Sequence, residues 1–264
     1  MENKKKAILV VSFGTSYNEP RKRTIGALEK AIGQAYPAWE VRRAFTSQMI
    51  INKLAKRDQI KIDNVGEALE RLAAEGVDEL YVQPTHVMNG MEYDEVVEEV
   101  ERCGDRFSSV VMGSPLLTTA EDYDAVVEAL MGEYAPAERE ALVLMGHGTE
   151  HHADAAYAAL DYHFKAAGHD NVFVGTVEGY PSLDDVLGML EKREYDKVIL
   201  APLMVVAGDH ATNDMASDEE DSWKRLLSAA GYAVECRLKG LGEIPAIREI
   251  YVDHLRAAAE GGEV

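Results

Sequence analysis

Two histidines of this 264-residue chain stand where parallel α/β proteins place reactive side chains. His147 lies in MGHGTEHH, directly after an apolar run and between two glycines, so it projects from a strand's carboxyl end at a tight backbone turn. His210 follows APLMVVAGD, again past an apolar run and a glycine, and so belongs to a different strand end. Neutral imidazole nitrogens suit divalent ions such as Co²⁺, Ni²⁺, Fe²⁺ and Zn²⁺, and a carboxylate often completes such a set. Glu178, in VGTVEGYP just past a strand, and Glu92, at a helix start in HVMNGMEYDE, are the carboxylates placed for that work. Each residue also has a plainer reading. A strand-end His can cap the next helix, Glu92 can answer a helix dipole, and Glu178 can sit in water.

The chain has no His-Glu-x-x-His, no Cys-x-x-Cys and no calcium loop, so a metal reading rests on position in the fold rather than on spacing. Glycine-rich phosphate loops and the GxSxG elbow are absent too, which removes the usual supports for nucleotide binding and serine hydrolase chemistry. Neither a nucleotide nor an organic cofactor is expected. Cys103 and Cys236 lie far apart and suggest neither a disulfide framework nor a zinc site. A formal charge of −20 argues against nucleic acid as partner, since a phosphate backbone needs a basic face, and is compatible with cationic ligands. The first six residues are polar and basic, the next apolar run is short, and no stretch approaches the ~20 apolar residues of a membrane span. No membrane partner and a cytoplasmic location are therefore expected.

Short β-rich runs alternate with helical periods, predicting strands at 7–13, 40–45, 79–84, 109–113, 142–146, 172–176, 197–202 and 234–238. Strands separated by helices mean parallel sheets, hence an α/β fold. Val65, Ala68, Leu69, Leu72 and Ala73 form one helical stripe, and Tyr123, Val126, Val127 and Leu130 another. The segment GEYAPAERE combines glycine, proline and charge without apolar period, so the boundary is expected there, giving domains 1–135 and 136–264. A final helix opening at Pro245, with Ile247, Ile250, Tyr251 and Leu255 on one face, is a candidate to pack back on the first domain. Ser217-x-x-Glu220, in an acidic run before Trp223, reads as a capping box opening a helix.

The halves can be overlaid. ILVVSFGT, from Ile8, matches LVLMGHGT, from Leu142, so His147 replaces Phe13; Val82-Gln83-Pro84 with Gly90 matches Leu200-Ala201-Pro202 with Gly208, setting Glu92 opposite His210. Such a repeat predicts two similar domains, each a parallel sheet flanked by helices, with a ligand cleft at the carboxyl ends of their strands.

VVSFGTSY, RAFTS-x-MII, MGHGTEHHA and PLMVVAGDHATNDMASDEEDSW closely resemble the anaerobic-pathway sirohydrochlorin cobaltochelatases, members of the class II chelatases. The similarity runs from the first strand to LGEIPAIR near the C-terminus. It implies two chelatase-like domains, and insertion of Co²⁺ as substrate metal into sirohydrochlorin or a precorrin-2 type tetrapyrrole in cobalamin biosynthesis. Histidines matching His147 and His210 would bind the metal and assist proton removal, and the glutamate of NG-x-EY matches Glu92. Met91 departs from the pattern, standing where an acidic residue can occur, as do Thr149-Glu150 after His147-Gly148. Taken together, the expected metal set is His147, Glu178 and His210, with His147, His210 and Glu92 as proton acceptors. A polycarboxylate substrate conflicts with an acidic protein unless basic residues line the rim. Arg42, Arg43 and Lys53 are placed for that, and Arg43 could form a bidentate pair with a substrate carboxylate. Iron or nickel insertion by the same fold, or a non-catalytic metal or tetrapyrrole carrier, are the competing readings, and a homo-oligomer is left open.

Overall fold

The computed structural model describes residues 4–261, which divide between two compact units, one drawn from Met1–Thr118 and Pro245–Val264, the other from Thr119–Ile244. Each is built around its own four-stranded parallel sheet.

The first unit runs β1 (Lys6–Ser12), α1 (Asn18–Arg23), α2 (Ile25–Ala35), β2 (Glu40–Phe45), α3 (Gln48–Asp58), α4 (Val65–Ala74), β3 (Glu79–Pro84), α5 (Met91–Cys103) and β4 (Ser109–Met112). Its strand order is β2-β1-β3-β4. Ala7 through Val11 are wholly buried, as a central parallel strand covered on both faces requires. Alternation along β1 divides the work. Ala7, Leu9 and Val11 face Leu69 and Leu72 of α4 and Val96 and Val100 of α5, whereas Ile8 and Val10 face Ile32 of α2. Val252 and Leu255, from the C-terminal helix Pro245–Gly261, complete that second layer.

The second unit runs α6 (Ala120–Tyr134), β5 (Glu140–Gly146), α7 (Ala155–Ala166), β6 (Val172–Thr176), α8 (Leu183–Leu190), β7 (Lys197–Pro202), a π-helical turn (Ala211–Met215), α9 (Trp223–Ala229) and β8 (Ala233–Cys236), with order β6-β5-β7-β8. The C-terminal helix is thus α10 (Pro245–Gly261). Ala141, Val143 and Met145 of β5 pack with Val186 and Leu190 of α8 and Leu227 of α9. Both sheets share one register at the corresponding point, Val11 opposite Pro84 and Met145 opposite Pro202. That is the overlay read from the sequence.

Two local expectations are corrected. The units part at 118/119 rather than 135/136, because GEYAPAERE is partly the last turn of α6, which ends at Tyr134. The Thr119–Asp122 capping box that starts α6 is where the second unit begins. Ser217 opens no helix: its hydroxyl accepts from the Glu219 amide in a turn, and α9 starts at Trp223 with Ser222 capping the Arg225 amide. No helix among the described residues is long and apolar enough to cross a membrane.

Candidate metal site

In the order β6-β5-β7-β8 the chain leaves β5 toward β6 on one side and later returns to β7 on the other, so the strand order reverses at β5 and β7. Open α/β sheets bind ligands outside the carboxyl ends of strands at such a reversal. His147 is the first residue beyond β5, and His210 lies on the segment leaving β7. The structure brings them together, with ring centroids 4.5 Å apart and planes at 89°.

The segment carrying His147 is anchored residue by residue. Its carbonyl accepts from the Glu178 amide at 2.8 Å, and the Gly148 amide donates to the Tyr157 hydroxyl at 3.3 Å. Asp154 ties two loops together, accepting from the Thr149 amide at 3.0 Å and the Tyr180 amide at 2.8 Å. Gly148 has φ of +85°, and a Cβ there would lie 2.4 Å from the Gly179 nitrogen. Only glycine fits both the left-handed backbone and this approach. His210 stands at the N-cap of the π-helical turn, and Thr212 fastens that turn by donating from amide and hydroxyl to the Gly208 carbonyl. Short π segments of this kind recur at functional sites. Upstream, the amides of Leu241 and Gly242 donate to the carbonyls of Met204 and Val205, and a Cβ on Gly240 would collide with the Val205 carbonyl at 2.5 Å.

These anchors leave the rings with defined tautomers. Nδ1 of His147 lies 2.8 Å from the Gly148 carbonyl oxygen, which can only accept, so Nδ1 carries the proton. Nδ1 of His210 lies 2.6 Å from Oδ2 of Asp214 and donates to that carboxylate. Both Nε2 atoms therefore present lone pairs, the form in which imidazole binds a metal or accepts a proton. Asp214, hidden in sequence within an acidic run, holds His210 by the kind of carboxylate bond that orients ligating histidines in many metal sites. Its signal was the i,i+4 spacing from His210.

The other expected residues sit differently. Glu178 has its backbone fixed on His147, yet its side chain is exposed. Among the described residues no group of three or more His, Cys, Asp or Glu side chains could hold a metal ion, so the Glu178 carboxylate forms no three-donor group with the two imidazoles. Glu92 belongs to the first unit, exposed in the opening turn of α5, at the same interval beyond Pro84 as His210 beyond Pro202. Arg43 does not offer an open fork, because Nε and Nη2 both bond the Glu29 carboxylate at 2.5 Å. Arg42 is likewise engaged, by Glu40 and Glu75.

The family model for cobalt chelatase (CbiK) matches residues 6–260. The chain belongs to the cobalt chelatase (CbiK) family. Among curated proteins, this CbiK-family chain is 46% identical over 255 residues to the sirohydrochlorin cobaltochelatase of Salmonella typhimurium, covering 96% of each. It is 36% identical over 259 residues to the sirohydrochlorin cobaltochelatase CbiKC of Nitratidesulfovibrio vulgaris, covering 96% of this chain and 90% of that one. Among solved structures, SirB from Bacillus subtilis with Fe³⁺ superposes with a TM-score of 0.67 at 16% identity, covering 98% of both chains. CbiX, described as the terminal enzyme for siroheme biosynthesis in denitrifying bacteria, superposes with a TM-score of 0.58 at 19% identity over 96% of this chain and 99% of that one. At such identities the structural likeness establishes the two-sheet chelatase fold alone.

Proposed function

We propose that this chain inserts Co²⁺ into sirohydrochlorin, as a cobaltochelatase of anaerobic cobalamin biosynthesis, with His147 and His210 at the centre of the reaction. Membership of the cobalt chelatase family gives the reaction class, a metal chelatase. The observation that carries the residue assignment is the pairing of two imidazoles at 4.5 Å, each with Nδ1 committed as a donor and Nε2 left free.

Insertion strips water from Co²⁺, exposes the pyrrole nitrogen lone pairs and releases two N–H protons, with no change of oxidation state. Two neighbouring imidazoles, each with an Nε2 lone pair, meet both demands. They replace water on the incoming ion, and once the macrocycle nitrogens take the metal, a vacated imidazole is free to accept a pyrrole proton. A positioned base contributes about 10²–10⁴-fold in general. We assign metal contact to His147 and His210, the first proton transfer to His147, and a further proton-accepting role to Glu92. Glu178, which forms no three-donor group with the two imidazoles as they stand, is assigned as third donor to the incoming ion because its backbone bond to His147 keeps its exposed side chain next to that residue.

The test is an anaerobic steady-state assay with sirohydrochlorin, following the absorbance change of metal insertion with Co²⁺, Fe²⁺ or Ni²⁺ against protein-free controls. Fastest turnover is expected with Co²⁺. A faster rate with another ion would reassign the metal, because imidazole does not choose among these ions by affinity alone. Binding without turnover would make the protein a carrier.

A further inference from the structure

His86 lies in the segment between β3 and α5, and both of its ring nitrogens are sealed from solvent without a hydrogen-bond partner. A neutral imidazole has one N–H donor and one lone pair, and leaving such groups buried and unmade costs about 1–3 kcal/mol each. Buried groups of this kind are rare in native structures and call for an explanation. The backbone around the ring is well held. The His86 carbonyl accepts from the Leu116 amide at 3.0 Å, and the Tyr251 hydroxyl bridges the carbonyls of Thr85 and His86 at 3.2 Å each. The imidazole is thus fixed in place with its donor unspent.

One charged group acts on that ring, the carboxylate of Glu92. Glu92 sits in the first turn of α5 with an exposed side chain, and its Oε2 lies 4.0 Å from where a Cβ on Gly90 would stand, which puts the carboxylate at the N-cap end of α5, the end that follows the His86 segment. We infer that His86 is a positioning residue for Glu92, its buried N–H donating to the carboxylate in the working enzyme and so holding Glu92 aimed as a proton acceptor. Burial pushes the His86 imidazolium down to about 4, so at working pH the ring is neutral and keeps one N–H to give. Titratable groups on the flanking elements include Tyr93, Asp94 and Glu95 in the opening turns of α5, and Tyr251 and His254 on α10. The Tyr251 phenol is held far above the usual range by burial, and Nδ1 of His254 donates to the Ser114 carbonyl.

This inference rests on the proton-accepting role proposed for Glu92, and the experiment separates the two. His86→Leu removes a half-buried ring whose sealed nitrogens are unsatisfied, so a merely structural account expects Tm to hold or rise with unchanged turnover. The positioning role expects Tm to hold or rise while kcat falls about tenfold, less than the ~10²-fold that a misplaced catalytic group can cost. KM for Co²⁺ and for sirohydrochlorin stays within about twofold in this account, since a positioning loss falls on the transition state. A donor favours the ionised carboxylate, so its removal moves the acid limb of the kcat profile to higher pH, and His86→Gln, which keeps an N–H, moves it back. In a Glu92→Gln background His86→Leu has no further effect on kcat. Histidine-selective ¹⁵N NMR of the wild-type protein needs no variant at all: the His86 N–H resonance shifts as Glu92 ionises. An unmoved acid limb in a folded His86→Leu protein, or an unshifted resonance, overturns the inference while leaving Glu92 in place. Full activity in Glu92→Gln overturns both.

Discussion

Asp214 offers the sharpest test of how the histidine pair is held. Its carboxylate accepts from Nδ1 of His210 at 2.6 Å, a charge-assisted bond that fixes the ring's orientation and tautomer across one π-helical turn. In Asp214→Ala the ring can rotate, and a neutral imidazole without that partner can carry its proton on Nε2, which removes the lone pair the site needs. Hydrogen bonds to charged groups contribute about 1.5–3 kcal/mol. Here the side chains of His210 and Asp214 are 36% and 44% exposed, so solvent screening reduces the value to about 1–1.5 kcal/mol. Since 1.4 kcal/mol is a factor of ten, KM for Co²⁺ should rise about tenfold, the lower end of the 10–100-fold seen when such supporting carboxylates are removed. The assay is anaerobic insertion at saturating sirohydrochlorin with Co²⁺ varied, and the comparison is His210→Ala under identical conditions. If Asp214→Ala keeps both KM for Co²⁺ and kcat within twofold of wild type while His210→Ala is inactive, the orientation argument is refuted even though His210 is essential.

Other consequences follow from the same geometry. His147→Ala and His210→Ala should each lose nearly all cobalt insertion with unchanged circular dichroism, and wild-type turnover in either would remove it from the site. Arg43→Ala should leave KM for sirohydrochlorin unchanged and lower Tm, because it strands the Glu29 carboxylate, which is only 16% exposed; a large KM increase would instead return Arg43 to substrate binding. Lys6 and Lys4 beside Glu79 hold its carboxyl down to about 2. A depressed folded-state value stabilises above the ordinary carboxylate range and loses that contribution as pH falls toward 2. Thermal melts should thus show wild type and Glu79→Gln converging as pH drops from about 4.5 to 2, and a constant gap across that window would contradict the pairing.

Much of the fold was readable because parallel strands covered on both faces must be apolar along their length. Ala7–Val11 and Ala141–Met145 announce central strands for that reason, and the observed β1 and β5 lie within a residue or two of the expected ends. The histidine pair was readable through a second regularity: in a duplicated α/β fold, residues just beyond matched strands occupy matched places, and both sheets keep one register at Pro84 and Pro202. What escaped depends on information that no local pattern carries. The stripe of α6 says that it covers a sheet but not which one, and the chain assigns it to the sheet that follows. Asp214 stands unmarked in the acidic run before Trp223 because its value lies in a turn whose π-helical form brings it back to His210. Arg43 had the right chemistry but lies inside β2, where Glu29 from α2 fills its fork. Residues whose place follows from backbone position alone were thus located from the sequence, as the adjacent rings of His147 and His210 show. Others were missed or misassigned where a partner distant in sequence or across a turn decides their role.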